Sequence, residues 1–259
     1  MNQAVGERVE IVLVHPDLLH APGDPGNAEV LARRLAWRGF RPRLHAVDHD
    51  AEIPDDAALY LIGGAEGPAQ VAAAQLLAAD GGLIRAVAGG AVVLATGGGY
   101  QLAGKSFPAP DGTRVDGLGL LDVETVPGQG AAGPARGEVV GRLRDLTTGD
   151  PAQPQQTADT VSDADRATSD PDVITGVEDH AAVTHLGPDA DPLAMISIGF
   201  GNCGDGTEGA ITGRAIGTNL HGPVLARNPG LADRLLGLAL HRKFRPLVRT
   251  EVDELRRRR

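Results

Sequence analysis

Short unbroken apolar runs alternate along the chain with stretches whose apolar residues recur every three or four positions. Glu10–His15 (EIVLVH) predicts a buried strand. Asn27–Arg38 (NAEVLARRLAWR) predicts an amphipathic helix with Ala28, Leu31, Leu35 and Trp37 inward, Arg33, Arg34 and Arg38 outward, and Gly39 as its stop. Arg43–Val47 follows as a second strand and Leu59–Ile62 (LYLI) as a third, ending at Gly63-Gly64. Ala69–Ala79 is a run of strong helix formers, Leu83–Ala88 adds another helix, and Ala91–Thr96 (AVVLAT) is a fourth strand. Continuous apolar strands separated by helices imply an α/β fold, a mostly parallel sheet with helices on both faces. Such sheets bind ligands beyond the carboxyl ends of their strands. The glycine-rich turns after Ile62 and Thr96 lie there.

The second half has a different rhythm. Val139–Leu143, Val183–Leu186, Ala194–Ile198 and Ala215–Gly217 read as short strands between turns. Asn228–Leu240 reads as a closing helix, with Pro229 in its first turn and an apolar face of Leu231, Leu235, Leu236 and Leu238. Asp145–Asp172 carries seven acidic residues and one arginine among Pro, Gln, Ser and Thr, a composition that cannot bury a core and reads as a disordered surface insertion. His241–Arg259 holds eight Lys/Arg against three acids and reads as a solvated basic tail. Residues 1–240 are expected to form one domain, with 145–172 inserted and 241–259 appended.

Composition removes several function classes. The 259 residues carry 24 Lys+Arg and 34 Asp+Glu, a net charge of -10, which argues against a nucleic-acid binder needing a basic face. A single cysteine excludes an intrachain disulfide, a cysteine zinc cluster and an iron–sulfur site. No apolar run approaches the roughly 20 residues that cross a bilayer, and residues 1–10 lack the apolar core of a signal peptide. A cytoplasmic protein with no metal or cofactor is expected.

Gly99–Ser106 (GYQLAGKS) satisfies the phosphate-loop pattern G-x-x-x-x-G-K-[ST] after a strand. A working phosphate loop opens a helix at its Lys-Ser, with the N-terminus facing the phosphates. Here Lys105-Ser106 runs into FPAPDGT, where Pro108, Pro110 and Gly112 forbid that helix. The helical turn belongs before the lysine, over Gly98–Ala103, with Gly104 as cap. The match is accidental on this reading. AVVLAT-GGG-YQLAG is instead a strand, a sharp turn and a helix, an elbow that lifts the residue at its apex above the sheet.

The runs VHPDLLHAPGDPGNAEVLARRLAWRGF, Gly63-Gly64, GGYQLAGK, DGLGLLDVET, GVEDHAAVTHLG, GFGNCGDGTEGA and GTNLHGPVLARNPGLAD occur in one order. Together they resemble the GatD family, the glutamine amidotransferase subunit of lipid II isoglutaminyl synthase, related to the CobB/CobQ-like amidotransferases. The resemblance implies a class I glutamine amidotransferase fold. It also implies a glutaminase that feeds ammonia to a MurT-like Mur ligase partner, which supplies the ATP chemistry and amidates the D-glutamate of the peptidoglycan stem. The family's elbow reads C-G-G-Y-Q, whereas this chain reads Gly97-Gly98-Gly99-Tyr100-Gln101, so the cysteine position is Gly97. His221 matches the general-base histidine, Gly64 and Gly98 the backbone donors of the oxyanion hole, Gln101 a glutamine-contacting position, and Arg136 the arginine that holds the substrate glutamine.

Amide hydrolysis by this route needs a thiolate, and glycine has none. Thr96 points away from the apex, and Cys203 sits in a separate loop and reads as inert. The chain is expected to be a pseudoenzyme: a GatD-like subunit without glutaminase activity. The alternatives are a non-catalytic scaffold for a ligase that uses free ammonia, or an amidotransferase for another carboxylate acceptor. Glu178 and His180 are two apart and share a face if on a strand, lining the pocket or serving a structural hydrogen bond. Adding His185 suggests no convincing metal site. Asp24, Gly26 and Asn27 read first as a helix N-cap and second as a contact with partner or substrate. Asp205 and Glu208, in a glycine-rich loop, read as solvated.

Overall fold

The computed structural model describes residues 6–19, 24–128, 134–146, 170–245 and 247. Strand β1 (Arg8–Val14) leads into α1 (Asp24–Ala36), then β2 (Arg41–Val47), β3 (Leu59–Ile62), α2 (Pro68–Asp80), α3 (Gly82–Ala88), β4 (Val92–Thr96) and α4 (Gly98–Ala103). There follow β5 (Ser106–Pro108), β6 (Arg114–Asp116), β7 (Val123–Pro127), β8 (Ala135–Leu143), β9 (Val173–His180), β10 (Ala182–Leu186) and β11 (Ala194–Ile198). Then come β12 (Thr207–Glu208), β13 (Ala210–Thr212), β14 (Ala215–Thr218) and β15 (Leu220–His221), a short helix Val224–Arg227 and the closing helix Pro229–Ala239. Most of the acidic insertion and of the basic tail lies outside the described residues.

The central sheet has the order β13-β14-β4-β3-β1-β2 and is parallel except for β13. Alternation along its strands splits the core in two. Val9, Ile11, Leu13, Leu59, Leu61, Val92 and Leu94 pack against Leu31 and Leu35 of α1 and Leu231, Leu235 and Leu236 of the closing helix. Val12, Val14, Tyr60, Ile62, Val93 and Ala95 pack on the other side against Ala73 and Leu77 of α2, Leu83 of α3 and Tyr100 of α4. Helices therefore cover both faces, as the apolar runs predict. Among the described residues no single helix is long and apolar enough to cross a membrane.

Three positions on α1 and its C-terminal turn differ from the periodicity reading: Trp37, Arg34 and Arg38, the last expected outside but with its side chain only 7% exposed. Trp37 is 40% exposed rather than inward. Arg34, expected outside, is buried and grips Asp233 of the closing helix through Nε (2.6 Å) and a second guanidinium nitrogen (2.7 Å). Arg38 joins the same carboxylate at 2.8 Å. A buried arginine is stable where a carboxylate fully pairs it, and that partner stands 199 residues away.

The second half contains more strand than expected. It builds a sheet β10-β7-β5-β6 and an antiparallel sheet β12-β11-β8-β9-β15. The strands absent from the sequence reading, β5, β6, β7, β9, β12, β13 and β15, are mostly short or have an exposed face, so they lack a continuous apolar run. The edge strand β15 matters most, because it carries His221 and pairs with Val177 and Glu178 of β9.

Helix α4 is seated directly on β14. A Cβ at Gly217 would overlap the Tyr100 ring and meet Leu121 Cδ1 at 2.7 Å. Gly217→Ala is expected to destabilise the fold by about 2 kcal/mol as an overpacked core. Urea denaturation measures it, and an unchanged midpoint would contradict this close seating.

Candidate functional site

Strand β4 is buried along its whole length and ends at Thr96. Gly97 then takes φ 53 and ψ -122, a conformation that side-chain-bearing residues hold only under strain, and α4 starts at Gly98. The Gly97 N–H donates to the Thr218 carbonyl at the end of β14 (2.9 Å), and the Tyr100 N–H donates back to the Gly97 carbonyl (3.0 Å). The elbow is thus present at the place predicted. β5 begins at Ser106, so no helix opens at the lysine and the phosphate-loop reading stays rejected. Lys105 pairs instead with Asp122.

The apex opens into a cavity of about 970 Å³. Its walls include Gly64, Gln70, Gly97, Gly98, Gln101, His180, Asn219 and His221. A Cβ built on Gly97 would stand 3.3 Å from His221 Cε1, 3.6 Å from Nδ1 and 3.9 Å from Nε2. The imidazole therefore faces the very point where an apex side chain would begin. Among the described residues no hydrogen-bond partner holds the His221 ring. The Gly98 N–H, at the first position of α4, has no partner within its helix and is available to an anion.

Gly64 lines the cavity, but its N–H is not available. It donates to Asp24 Oδ2 at 2.7 Å, while Thr96 Oγ1 donates to Asp24 Oδ1 at 2.8 Å. The oxyanion-donor role implied for Gly64 is thus blocked in this conformation, and Gly98 alone keeps that role open. Asp24 is buried, and burial raises its carboxyl above the usual range. Its motif is no simple helix cap. Asn27 Oδ1 accepts the Leu225 N–H (3.0 Å), so the start of α1 fastens both the Gly64 turn and the segment just after His221.

The remaining expectations divide. Glu178 and His180 do share a face, but only His180 lines the cavity. Glu178 is buried and accepts the N–H groups of Phe200 (2.6 Å) and Gly201 (2.8 Å), a structural role. His180 Nδ1 is 2.8 Å from the Ala182 carbonyl, which can only accept, so Nδ1 carries the proton. Arg136 stands beside the cavity rather than in its wall. Its side chain is 69% exposed and bonds through Nε to Asp179 (2.8 Å), which does line the cavity. The Arg136 guanidinium holds the Asp179 carboxyl below the usual range. His185 sits on β10 opposite Glu124, and no group of three metal-ligating residues exists among the described residues.

Glu208 is the clearest correction. It is fully buried, not solvated, and lies behind the cavity wall. Thr218 Oγ1 donates to its carboxyl at 3.0 and 3.1 Å, and the Asn219 N–H donates at 2.7 Å. Burial pushes this carboxyl up to about 7. Asp205 is exposed and accepts from Thr207, as a solvated loop residue does. Burial raises the Cys203 thiol, and the residue does not line the cavity. An inert cysteine has that character.

Gln70 and Asn219 line the cavity and were not read from the sequence. For Gln70 a signal exists: it lies three, four and seven positions before Ala73, Ala74 and Leu77, on the buried face of an alanine-rich helix. As a whole the cavity offers two imidazoles, a helix-start N–H, amide groups and the Asp179 carboxylate to a small polar ligand. Its apex provides no attacking atom.

Residues 10–229 match the CobB/CobQ-like glutamine amidotransferase domain. The chain is 30% identical over 249 residues to the subunit GatD of lipid II isoglutaminyl synthase (glutamine-hydrolyzing) from Staphylococcus aureus strain N315, spanning 94% of this chain and 90% of that protein. It is 26% identical over 242 residues to the corresponding GatD subunit of Streptococcus pneumoniae strain ATCC BAA-255 / R6, spanning 92% and 82%. A solved glutamine amidotransferase superposes with a TM-score of 0.53 over 91% of this chain and 99% of its own, at 16% identity, a likeness of fold.

Proposed function

The chain belongs to the CobB/CobQ-like glutamine amidotransferase family, and from that premise we propose that it is the amidotransferase-type subunit of a lipid II isoglutaminyl synthase whose own glutaminase step is lost. The partner is a MurT-like Mur ligase, which activates the D-glutamate carboxylate of the stem peptide with ATP. We place the pair in the cytoplasm, where ATP is supplied. This chain retains the cavity, the imidazole and one oxyanion donor. In a glutaminase of this kind a thiolate attacks the amide carbon, the histidine passes a proton to the departing ammonia, and water releases glutamate from the thioester. At Gly97 no bond to the amide carbon can form. Ammonia for the ligase is then taken from solution.

The single observation that carries this reading is the apex itself. His221 faces a glycine held at φ 53, within 3.3 Å of where a side chain would start. The test is the nitrogen source of the purified complex. With ATP and lipid II, ammonium chloride is expected to support stem amidation, and L-glutamine to support none above background. Glutamine-driven amidation by the unaltered chain would overturn the loss of glutaminase. Failure to associate with a Mur-type ligase would overturn the subunit assignment.

A further inference from the structure

The geometry assigns Gln70, on α2, as a positioning residue that fixes which end of the Gln101 amide faces the cavity, and thereby the ligand group that Gln101 can bind. The inference rests on the glutamine-site reading above and adds to it a residue and a direction of hydrogen bonding. Gln70 is 5% exposed. One of its terminal atoms lies 2.9 Å from the Gly98 carbonyl oxygen and 3.1 Å from a terminal atom of Gln101. The Gly98 carbonyl can only accept, so the Gln70 atom is Nε2, a donor. The Gln101 atom facing it must then accept, so it is Oε1. This settles the amide direction by chemistry, although an amide's nitrogen and oxygen look alike in shape.

The consequence lies at the other end of Gln101. Its Nε2, with two N–H groups, has no hydrogen-bond partner among the described residues, and Gln101 lines the cavity. At this point of the wall Gln101 therefore presents donors to a ligand oxygen, a carboxylate or an amide carbonyl, and not an acceptor. Burying an amide on the core-facing side of α2, beside Ala73, Ala74 and Leu77, is unfavourable unless both contacts are made. An apolar residue would serve packing alone.

Gln70→Glu keeps the shape and replaces the donor by oxygen. The new carboxylate repels the Gly98 carbonyl and turns the Gln101 N–H groups toward itself, away from the cavity. L-Glutamine binding to the full chain, followed by NMR titration, is expected to weaken about tenfold, as for one lost hydrogen bond to a charged group. In a Gln101→Ala background the same substitution is expected to change affinity less than twofold, because a residue acting only through Gln101 has nothing left to orient. Gln75→Glu, on the exposed side of the same helix, is the control and leaves binding unchanged. Equal losses with and without Gln101, or no loss at all, overturn the assignment. If the unaltered chain binds no L-glutamine, the glutamine-site reading fails. The positioning role is then judged by the Gln101 side-chain amide resonances, which must move in Gln70→Glu and stay fixed in Gln75→Glu; unmoved resonances overturn it.

Discussion

Gly97→Cys is expected to give the chain a glutaminase activity at least about 10³-fold above its own background, the scale on which a positioned nucleophile and acid–base partner act. The substitution adds a thiol at the apex of the elbow, where the Cβ falls 3.6 and 3.9 Å from the two ring nitrogens of His221. One more bond brings the sulfur within reach of the imidazole, which stabilises the thiolate. The 3.3 Å approach to His221 Cε1 is tight, so the ring must yield by a few tenths of an ångström. Holding a cysteine at φ 53 costs about 1–2 kcal/mol of stability, visible as a lower midpoint in urea. The restored rate should nevertheless fall short of a complete glutaminase. The Gly64 N–H is engaged by Asp24, and one missing oxyanion donor costs about 10²–10³ in kcat. Glutamate release, together with a thioester seen by intact-protein mass, measures the outcome. Gly97→Ser should stay at background, and His221→Ala should abolish the gain of Gly97→Cys. Equal glutamate release from the unaltered chain and Gly97→Cys would show that the apex is not where the chemistry resides.

Glu208→Gln is expected to remove a pH dependence from folding stability. The carboxyl sits near 7 in the folded protein against an ordinary 4.5, so between those values the native chain holds a proton that the unfolded chain has released. Stability from this group is complete below about pH 4.5 and falls as pH rises toward 7, by roughly 3 kcal/mol at 1.36 kcal/mol per unit. Glutamine keeps an oxygen for the Asn219 N–H and an amide for Thr218, and it does not titrate. Urea unfolding at pH 5 and pH 8 should give a difference between the two pH values about 3 kcal/mol smaller in the variant. Parallel stability curves would mean that Glu208 ionises normally and is not buried in solution. The region matters to the cavity because Thr218 accepts the Gly97 N–H and Asn219 stands two residues before His221.

Local patterns carried some elements to their ends. Leu59–Ile62, Gly98–Ala103 and Ala194–Ile198 fall where apolar runs, glycines and prolines place them. At the two strands the local apolar pattern and the flanking turn residues agree with the sheet pairing that the fold supplies. The antiparallel sheets were only half visible, since strands with an exposed face leave no continuous apolar run. Arg34 shows the limit on a helix, where spacing tells which residues share a face but not which distant carboxylate waits there. Glu208 shows it in the short strand β12: a glycine-rich, acidic stretch has the composition of a solvated turn, yet the carboxyl is enclosed by β14 and the residues after it.

By itself the order of residues determined a parallel α/β sheet, a sharp bend after its fourth strand, and a glycine at the apex of that bend, because backbone propensities and covalent neighbours decide all three. Only the tertiary structure decided what surrounds the apex. Asp24 reaches Thr96 across 72 residues and occupies the Gly64 N–H, Gln70 turns the Gln101 amide, and an edge strand far down the chain brings His221 against an apex that has no side chain. Those contacts join segments remote in sequence, and their hydrogen bonds depend on three-dimensional distance and burial, which no local pattern encodes.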